Sequence, residues 1–261
     1  MSTEQPLVLT LDGPVASGKG TVARRVAEAL GFHLLDSGAI YRAHAYACLN
    51  RNIDFNEINV LEEQAKVLSL EFRGTQVWVD GADATHEIRA EAVGLAASAL
   101  SAIPEVRAAL LQRQRDFAQA PGLVADGRDM GTVVFPDAAL KVYLTTTAAV
   151  RAERRARQVL AAAAAPSRSA EEAAKQLIEK GNSANIAKLP ENSPPVLAAD
   201  FDAVQAQVEA QIRQRDAQDK SRRVAPLRPA LGAIVIDNAG QSPEQTVAGV
   251  LALWRMRVGR R

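Results

Sequence analysis

Gly13-Pro-Val-Ala-Ser-Gly-Lys-Gly-Thr21 decides how this chain folds. An apolar run, Leu7-Val-Leu-Thr-Leu11, precedes it, and Val22-Ala-Arg-Arg-Val-Ala-Glu-Ala-Leu30 follows. The order is strand, glycine-rich loop, helix. Gly13, Gly18 and Lys19 stand at the spacing of a phosphate-binding P-loop. Glycines let the backbone curl until several N–H groups converge on one point. The helix that begins there adds the partial positive charge of its N-terminus, and Lys19 adds a mobile full charge. Pro14, Val15, Ala16, Ser17 and Gly20 complete a loop expected to hold the β- and γ-phosphates of a nucleoside triphosphate. The usual motif has Ser or Thr directly after the lysine. Here Gly20 follows, and Thr21 comes one step later.

Outward from the loop, short apolar runs recur at 7–11, 32–35, 122–125, 140–145 and 233–236. Such runs fit strands buried on both faces. Helical patterns lie between them at 19–30, 37–50, 91–118, 148–160 and 243–257. The alternation predicts an α/β fold on a five-stranded parallel sheet, with the site at the carboxyl ends of the strands. Two segments interrupt this plan. Within 54–98, Leu68-Ser-Leu-Glu-Phe-Arg73 and Gln76-Val-Trp-Val-Asp80 alternate around Gly74-Thr75, which predicts a small inserted antiparallel subdomain. Within an expected lid region at 150–224, residues 158–224 are polar and Ala-rich, broken by Pro166, Pro190, Pro194 and Pro195. The stretch 181–195 reads as loop, and a charged helix resumes from Asp200 to about Arg223. A helical excursion of this kind between core strands is what a lid over a single 261-residue P-loop domain would look like.

Composition narrows the classes of function. A net charge of +1 and few aromatics argue against nucleic acid or a membrane surface as partner. No apolar run approaches the ~18 residues of a membrane span, and the N-terminus has no signal-peptide pattern. One cysteine and three scattered histidines offer neither a disulfide nor a metal-ligand spacing. The expectation is a cytoplasmic, monomeric enzyme that binds no metal directly. Arginine outnumbers lysine by 24 to 7, and its planar fork matches phosphate oxygens in bidentate fashion.

Some arginines sit where phosphate would be. Leu35-Asp-Ser-Gly-Ala-Ile-Tyr-Arg42 places Ser37 at a helix start, able to cap it and face a ligand, with Arg42 further along. In Ala125-Asp-Gly-Arg-Asp-Met-Gly131 a strand ends on Asp126, which has the place of the acid that orients Mg2+ through water beside a P-loop. Arg128 and Asp129 follow it at the carboxyl edge of the sheet. Arg215, Asp219 and Arg222 are spaced i, i+4, i+7 and on a helix would share one face. Arg151, Arg154, Arg155 and Arg157 crowd another helix, an arrangement that suits a facing polyphosphate.

These motifs, with Leu110-Leu-Gln-Arg-Gln-Arg115 and Asp126-Gly-Arg-Asp-Met-Gly-Thr-Val-Val-Phe-Pro-Asp137, closely resemble the bacterial cytidylate kinases, and the Gly20 variant loop resembles that of nucleoside monophosphate kinases. The resemblance covers most of the chain except about 158–205. It implies transfer of the γ-phosphate of ATP, with Mg2+, to CMP or dCMP on a P-loop core with a nucleotide-binding insert and a lid. By the same resemblance Gly13–Thr21, Arg154 and Arg155 would hold ATP. Arg42, Arg128 and Arg222 would grip the CMP phosphate. Ser98, Arg107 and Asp129 would read the cytosine edge, and Asp219 supported by Arg215 would contact the sugar. Ser37 and Asp126 complete the CMP side, and Lys19, Arg128, Arg155 and Arg222 are the expected catalytic charges. Gln218 and Lys220 stand where that family often has arginines.

An acceptor phosphate with a second pKa near ~6 is mostly ionised at neutral pH, so no general base is expected. Other small-molecule P-loop kinases with UMP or AMP as acceptor, and a nucleotide-binding module without catalysis, remain open at this point.

Overall fold

β1 (Leu7–Asp12) is the central strand of a parallel five-stranded sheet and feeds the glycine-rich loop. The computed structural model of the chain describes residues 6–164 and 201–259. β1 is flanked by β6 (Gly122–Gly127) and β7 (Leu140–Thr145), with β2 (His33–Asp36) and β8 (Ile234–Asp237) at the rims. The register pairs Leu11 with Asp126 and with Val142, so β1 and β6 end at one level and β7 runs two residues further. The three inner strands are almost wholly buried, as continuous apolar runs require. The rim strands are not. Ile234 and Val235 on β8 are exposed, because a rim strand has a neighbour on one side only.

Helix α1 (Lys19–Leu30) starts where Gly18 takes a left-handed conformation, φ 85°, and ends at Gly31, φ 65°. Its Val22 and Val26 join Leu9, Leu11, Val124, Val142 and Leu144 in the main core. Val250 and Trp254 of the last helix, α8 (Pro243–Val258), close that core. Trp254 stacks edge-on to Phe32 at 5.5 Å between ring centroids. Each fully buried large aliphatic contributes about 1.5–3 kcal/mol. Ser242 and Gln245 form a reciprocal capping box at the start of α8, with Pro243 in its first turn.

The described residues fall into two compact units, 6–37 with 114–162 and 201–259, and 38–113. The second contains the expected hairpin, β3 (Leu70–Arg73) and β4 (Gln76–Val79), extended by a two-residue strand β5 (Ala82–Asp83) into a three-stranded antiparallel sheet. The turn rests on Gly74, φ 62°. Val77, Val79, Leu68 and Ile88 pack with Ala39, Ala43 and Ala47 of α2 (Ser37–Asn50). The alanines let the small sheet approach that helix closely.

Three local expectations are corrected. The pattern at 91–118 is not one helix: α4 (Glu91–Leu100) and α5 (Pro104–Arg115) meet at a 103° bend. Pro104 disfavours helical backbone at the residue before it and opens a new helix instead. An unpredicted helix, α3 (Ile58–Val67), precedes the hairpin. The charged helix of the expected lid, α7 (Phe201–Ser221), stops at Ser221, so Arg222 lies just beyond it rather than on it. Val204, Val208 and Ile212 of α7 pack on Ala152 and Ala156 of α6 (Ala148–Ala164). The expected loop at 181–195 and the rest of 165–200 lie outside the described residues.

Candidate active site

The loop after β1 is shaped by close approach and by handedness. A side chain at Gly13 would place its Cβ 2.1 Å from the Leu144 carbonyl oxygen on β7, so only glycine fits. Ala16, φ 58°, and Gly18, φ 85°, take left-handed conformations on either side of Ser17. Alternation of this kind turns successive N–H groups inward to form an anion nest. A left-handed alanine costs about 1 kcal/mol, which the surrounding structure has to hold in place. The Ser17 hydroxyl is buried and has no hydrogen-bond partner among the described residues.

Lys19 is buried, and its ammonium donates to the Pro14 carbonyl at 3.1 Å. Burial pulls its pKa down to about 8, and Arg128 pushes the same way, while Asp126, Asp219 and Asp12 oppose. The lysine thus keeps its charge at neutral pH but holds its proton loosely. Asp126 is the penultimate residue of β6, close to the strand end where it was expected. Burial lifts its pKa to about 6 against the pull of Lys19, and its buried Oδ1 has no hydrogen-bond partner among the described residues. A Cβ on Gly20 would lie 3.2 Å from the other oxygen, so the glycine after the lysine leaves room for this acid. A buried carboxyl with an unpartnered oxygen beside a phosphate loop fits an acid that a hydrated Mg2+ would partner. Among the described residues no cluster of His, Cys, Asp and Glu is able to hold a metal by itself.

The third group of charges centres on Asp219. Its carboxylate accepts from Arg128 Nε at 3.3 Å and pairs with Arg222 Nη2 at 2.5 Å. Asp219 is buried and Arg222 nearly so. Two arginines are thereby held convergent by one acid. Arg128 also donates to the Gly127 carbonyl at 3.1 Å. Asp129 is buried at the start of the turn Met130–Val134. Ser37 is buried and opens α2; its Oγ would meet a Cβ on Gly127 at 2.7 Å, so Ser37 sits against the same strand end. Arg215 is half-buried on α7, one turn before Asp219.

The arginines of α6 are not a bare cationic cluster, and that expectation is corrected. Arg151 is buried and forks onto Asp216 at 3.1 and 2.6 Å, while also donating to the Val15 carbonyl at 3.1 Å. Arg157 pairs with Glu153. Arg154 donates to the Asn238 backbone oxygen at 2.9 Å and to its Oδ1 at 3.3 Å. The Asn238 amide in turn donates to the Ser17 carbonyl at 2.9 Å. Arg151 and Arg157 are each paired with an acid, which relieves part of the self-repulsion that a bare row would carry. Arg154 is nonetheless held close to the P-loop, its Nη1 3.9 Å from where a Gly18 Cβ would stand. Arg155 is exposed on the same helix.

The second unit arranges the remaining candidates by itself. Arg42 donates to the carbonyls of Ile88 at 3.0 Å and Ala90 at 3.3 Å. Its guanidinium lies over Gly94 of α4, where a Cβ would come within 2.7 Å of it. Arg107 is buried; it donates to the Ser101 carbonyl at 3.1 Å and lies 5.7 Å from the centre of the Tyr41 ring. The Ser101 hydroxyl donates to the Ser98 carbonyl at 2.9 Å, linking Ser98 and Arg107 through one residue.

Asp12, Asn238 and the Arg151–Asp216 pair were not singled out in the sequence. Asp12 had one visible signal, an acid directly before the first loop glycine. Its carboxylate is buried and accepts from the amides of Met130 and Gly131, both at 2.8 Å.

A central parallel strand running into this loop, a buried lysine, and an acid at the end of the neighbouring strand define the P-loop kinase fold. The chain matches the cytidylate kinase family over residues 9–186 and 196–256. It is 47% identical over 248 residues to a cytidylate kinase of Bordetella bronchiseptica, covering 95% of both chains. It is 46% identical to one of Chromobacterium violaceum (94% of this chain, 93% of the other) and 43% identical to one of Ralstonia pickettii (97% and 93%). A solved structure from Thermus thermophilus covers 95% of this chain and 98% of its own at 19% identity and a TM-score of 0.36, and adds nothing to the assignment. The chain belongs to the cytidylate kinase family.

Proposed function

We propose that the protein transfers the γ-phosphate of ATP to CMP or dCMP, giving ADP and the diphosphate. The observation that carries this reading is the set of charges at the strand ends. Buried Lys19 lies in the field of Asp126, Arg128 and Asp219, and Asp219 holds Arg128 and Arg222 together. Two unit charges ~4 Å apart repel by ~4 kcal/mol at an effective dielectric of ~20. A donor polyphosphate and an acceptor phosphate dianion meet that barrier several times over. Convergent guanidinium groups and an ammonium offset it, and they also stabilise the charge that spreads over the transferring group.

The P-loop, Lys19, Arg154 and Arg155 hold the donor in this reading. Mg2+ bound with ATP would neutralise charge on the β- and γ-oxygens, with Asp126 orienting its water. Arg42, Arg128 and Arg222 take the acceptor phosphate, Ser37 and Asp126 flank it, and Arg215 with Asp219 takes the sugar. Asp129, Arg107 and Ser98 read the base: a carboxylate accepts from the exocyclic amine that distinguishes cytosine from uracil, and a guanidinium donates to N3 or O2. No proton needs to be abstracted, since the acceptor oxygen is already ionised. Residues 54–98 serve as the acceptor-binding insert, and 150–224 as a lid that excludes water as a competing acceptor. A cytoplasmic monomer completes the picture; among the described residues no single helix is long and apolar enough to cross a membrane.

Coupled ADP release with ATP and Mg2+ and a panel of nucleoside monophosphates tests the reading. CMP and dCMP are expected to give the highest kcat/KM. ADP release led by UMP or AMP reassigns the acceptor, and slow release independent of any monophosphate removes kinase activity.

A further inference from the structure

The turn Met130–Val134 carries no substrate group of its own, yet it directly follows Arg128 and Asp129 and fixes where they point. A single turn leaves its first N–H groups and last carbonyls without partners. Here both ends are bound by opposite charges. At the start, the two Asp12 oxygens each accept one amide, from Met130 and from Gly131, at 2.8 Å. At the end, Arg115 Nε donates to the Val134 carbonyl at 3.1 Å and Nη2 to the Val133 carbonyl at 3.3 Å. The signs are those the turn's dipole favours, acid at the N-terminus and base at the C-terminus. The packing admits no slack: a Cβ on Gly131 would lie 3.0 Å from Thr10 Oγ1 and 3.4 Å from Asp12 Oδ2.

We propose that Asp12 and Arg115 are a pair of positioning residues that clamp the Met130–Val134 turn from its two ends and thereby hold Arg128 and Asp129 in register for the acceptor nucleotide. Neither touches substrate. Asp12 fixes the turn to the strand that feeds the P-loop, and Arg115 fixes it to the last turn of α5. The clamp explains why an acid occupies a buried position where burial lifts its pKa to about 7: only a carboxylate offers two acceptors to two adjacent amides. An asparagine there would satisfy one amide and set its own NH2 against the other. The proposal rests on the reading of Arg128 and Asp129 as acceptor-side residues.

The test compares wild type, Arg115→Met, Arg115→Lys and Asp12→Asn by steady-state kinetics and by amide hydrogen exchange across 122–135. Arg115 is on the surface, so its variants fold; Asp12 also lies in the field of Lys19, so Arg115 is the decisive member. Arg115→Met is expected to raise the acceptor KM roughly tenfold, a loss typical of charge-assisted bonds, and to erode the preference for CMP over UMP. The KM for ATP stays within about twofold, and the amides of Val133 and Val134 exchange faster. Arg115→Lys restores part of the acceptor KM. If the wild type favours another monophosphate, the cytidylate reading fails, while a selective rise in that acceptor's KM still supports the clamp. Equal rises for donor and acceptor, or wild-type KM values with wild-type exchange, overturn it.

Discussion

At the scale of single residues, the balance at Lys19 decides the chemistry. Burial and Arg128 loosen its proton, and three acids tighten it, leaving a pKa of about 8. Donor phosphates arriving at that ammonium favour its charged form. Binding of ATP near pH 8.5 should therefore take up protons, read as a dependence of the calorimetric enthalpy on the buffer's ionisation enthalpy; no dependence would mean that the phosphates do not reach Lys19. Lys19→Met should lower kcat by several orders of magnitude while CMP binding measured by titration changes little. Near-normal turnover would remove Lys19 from the mechanism. Arg42 is governed by a smaller neighbour. Gly94→Ala sets a methyl against its guanidinium, which is the far end of a flexible side chain and moves aside cheaply. The expected result is a KM for CMP raised about tenfold with the melting temperature nearly unchanged, because the acceptor-phosphate contact proposed for Arg42 would be lost and no core contact would be. An unchanged KM would place Arg42 outside the acceptor site.

At the scale of elements, the Arg151–Asp216 fork joins α6 to α7 and reaches the P-loop through the Val15 carbonyl. Arg151→Met leaves Asp216 buried without its counter-ion, which costs about 3–5 kcal/mol. Chemical denaturation should show that loss; a change below about 1 kcal/mol would mark the pair as a surface-type contact. The sequence made the repeating elements legible. β1, the loop and α1 show in apolar runs and a fixed glycine spacing, and so do β6, β7 and α8. The candidates around the loop followed from the same motifs. What remained hidden depends on contacts between distant parts of the chain. Asp12 meets amides 118 and 119 residues away, and Asn238 meets Ser17 across 221. A bond from a side chain to a remote backbone group leaves no periodic trace. The break before Pro104 is visible as a residue type but is overridden by the apolar pattern on either side, and α3 is short, only ten residues, and lies directly against the hairpin in the chain.

At the scale of the whole molecule, buried acids tie stability to pH. Burial raises Asp126 to about 6 and Asp12 to about 7, both above their ordinary value of 3.8. The folded state therefore binds these protons more tightly than the unfolded one. The stability they contribute is fully present below about pH 4 and is lost as pH rises through 6 and 7. Asp126→Asn removes the titration, so the ligand-free variant should gain on the wild type between pH 5 and pH 8, by an amount of the order of 1 kcal/mol. Equal pH profiles for the two proteins would show that Asp126 titrates normally. The joint at Arg151 and Asp216 has a further consequence over evolutionary time. A lone change at either position to an uncharged residue strands the other's charge in the interior. Descendants that lose one member without the other inherit a poorly folding protein, so the two codons are expected to be exchanged for neutral ones together.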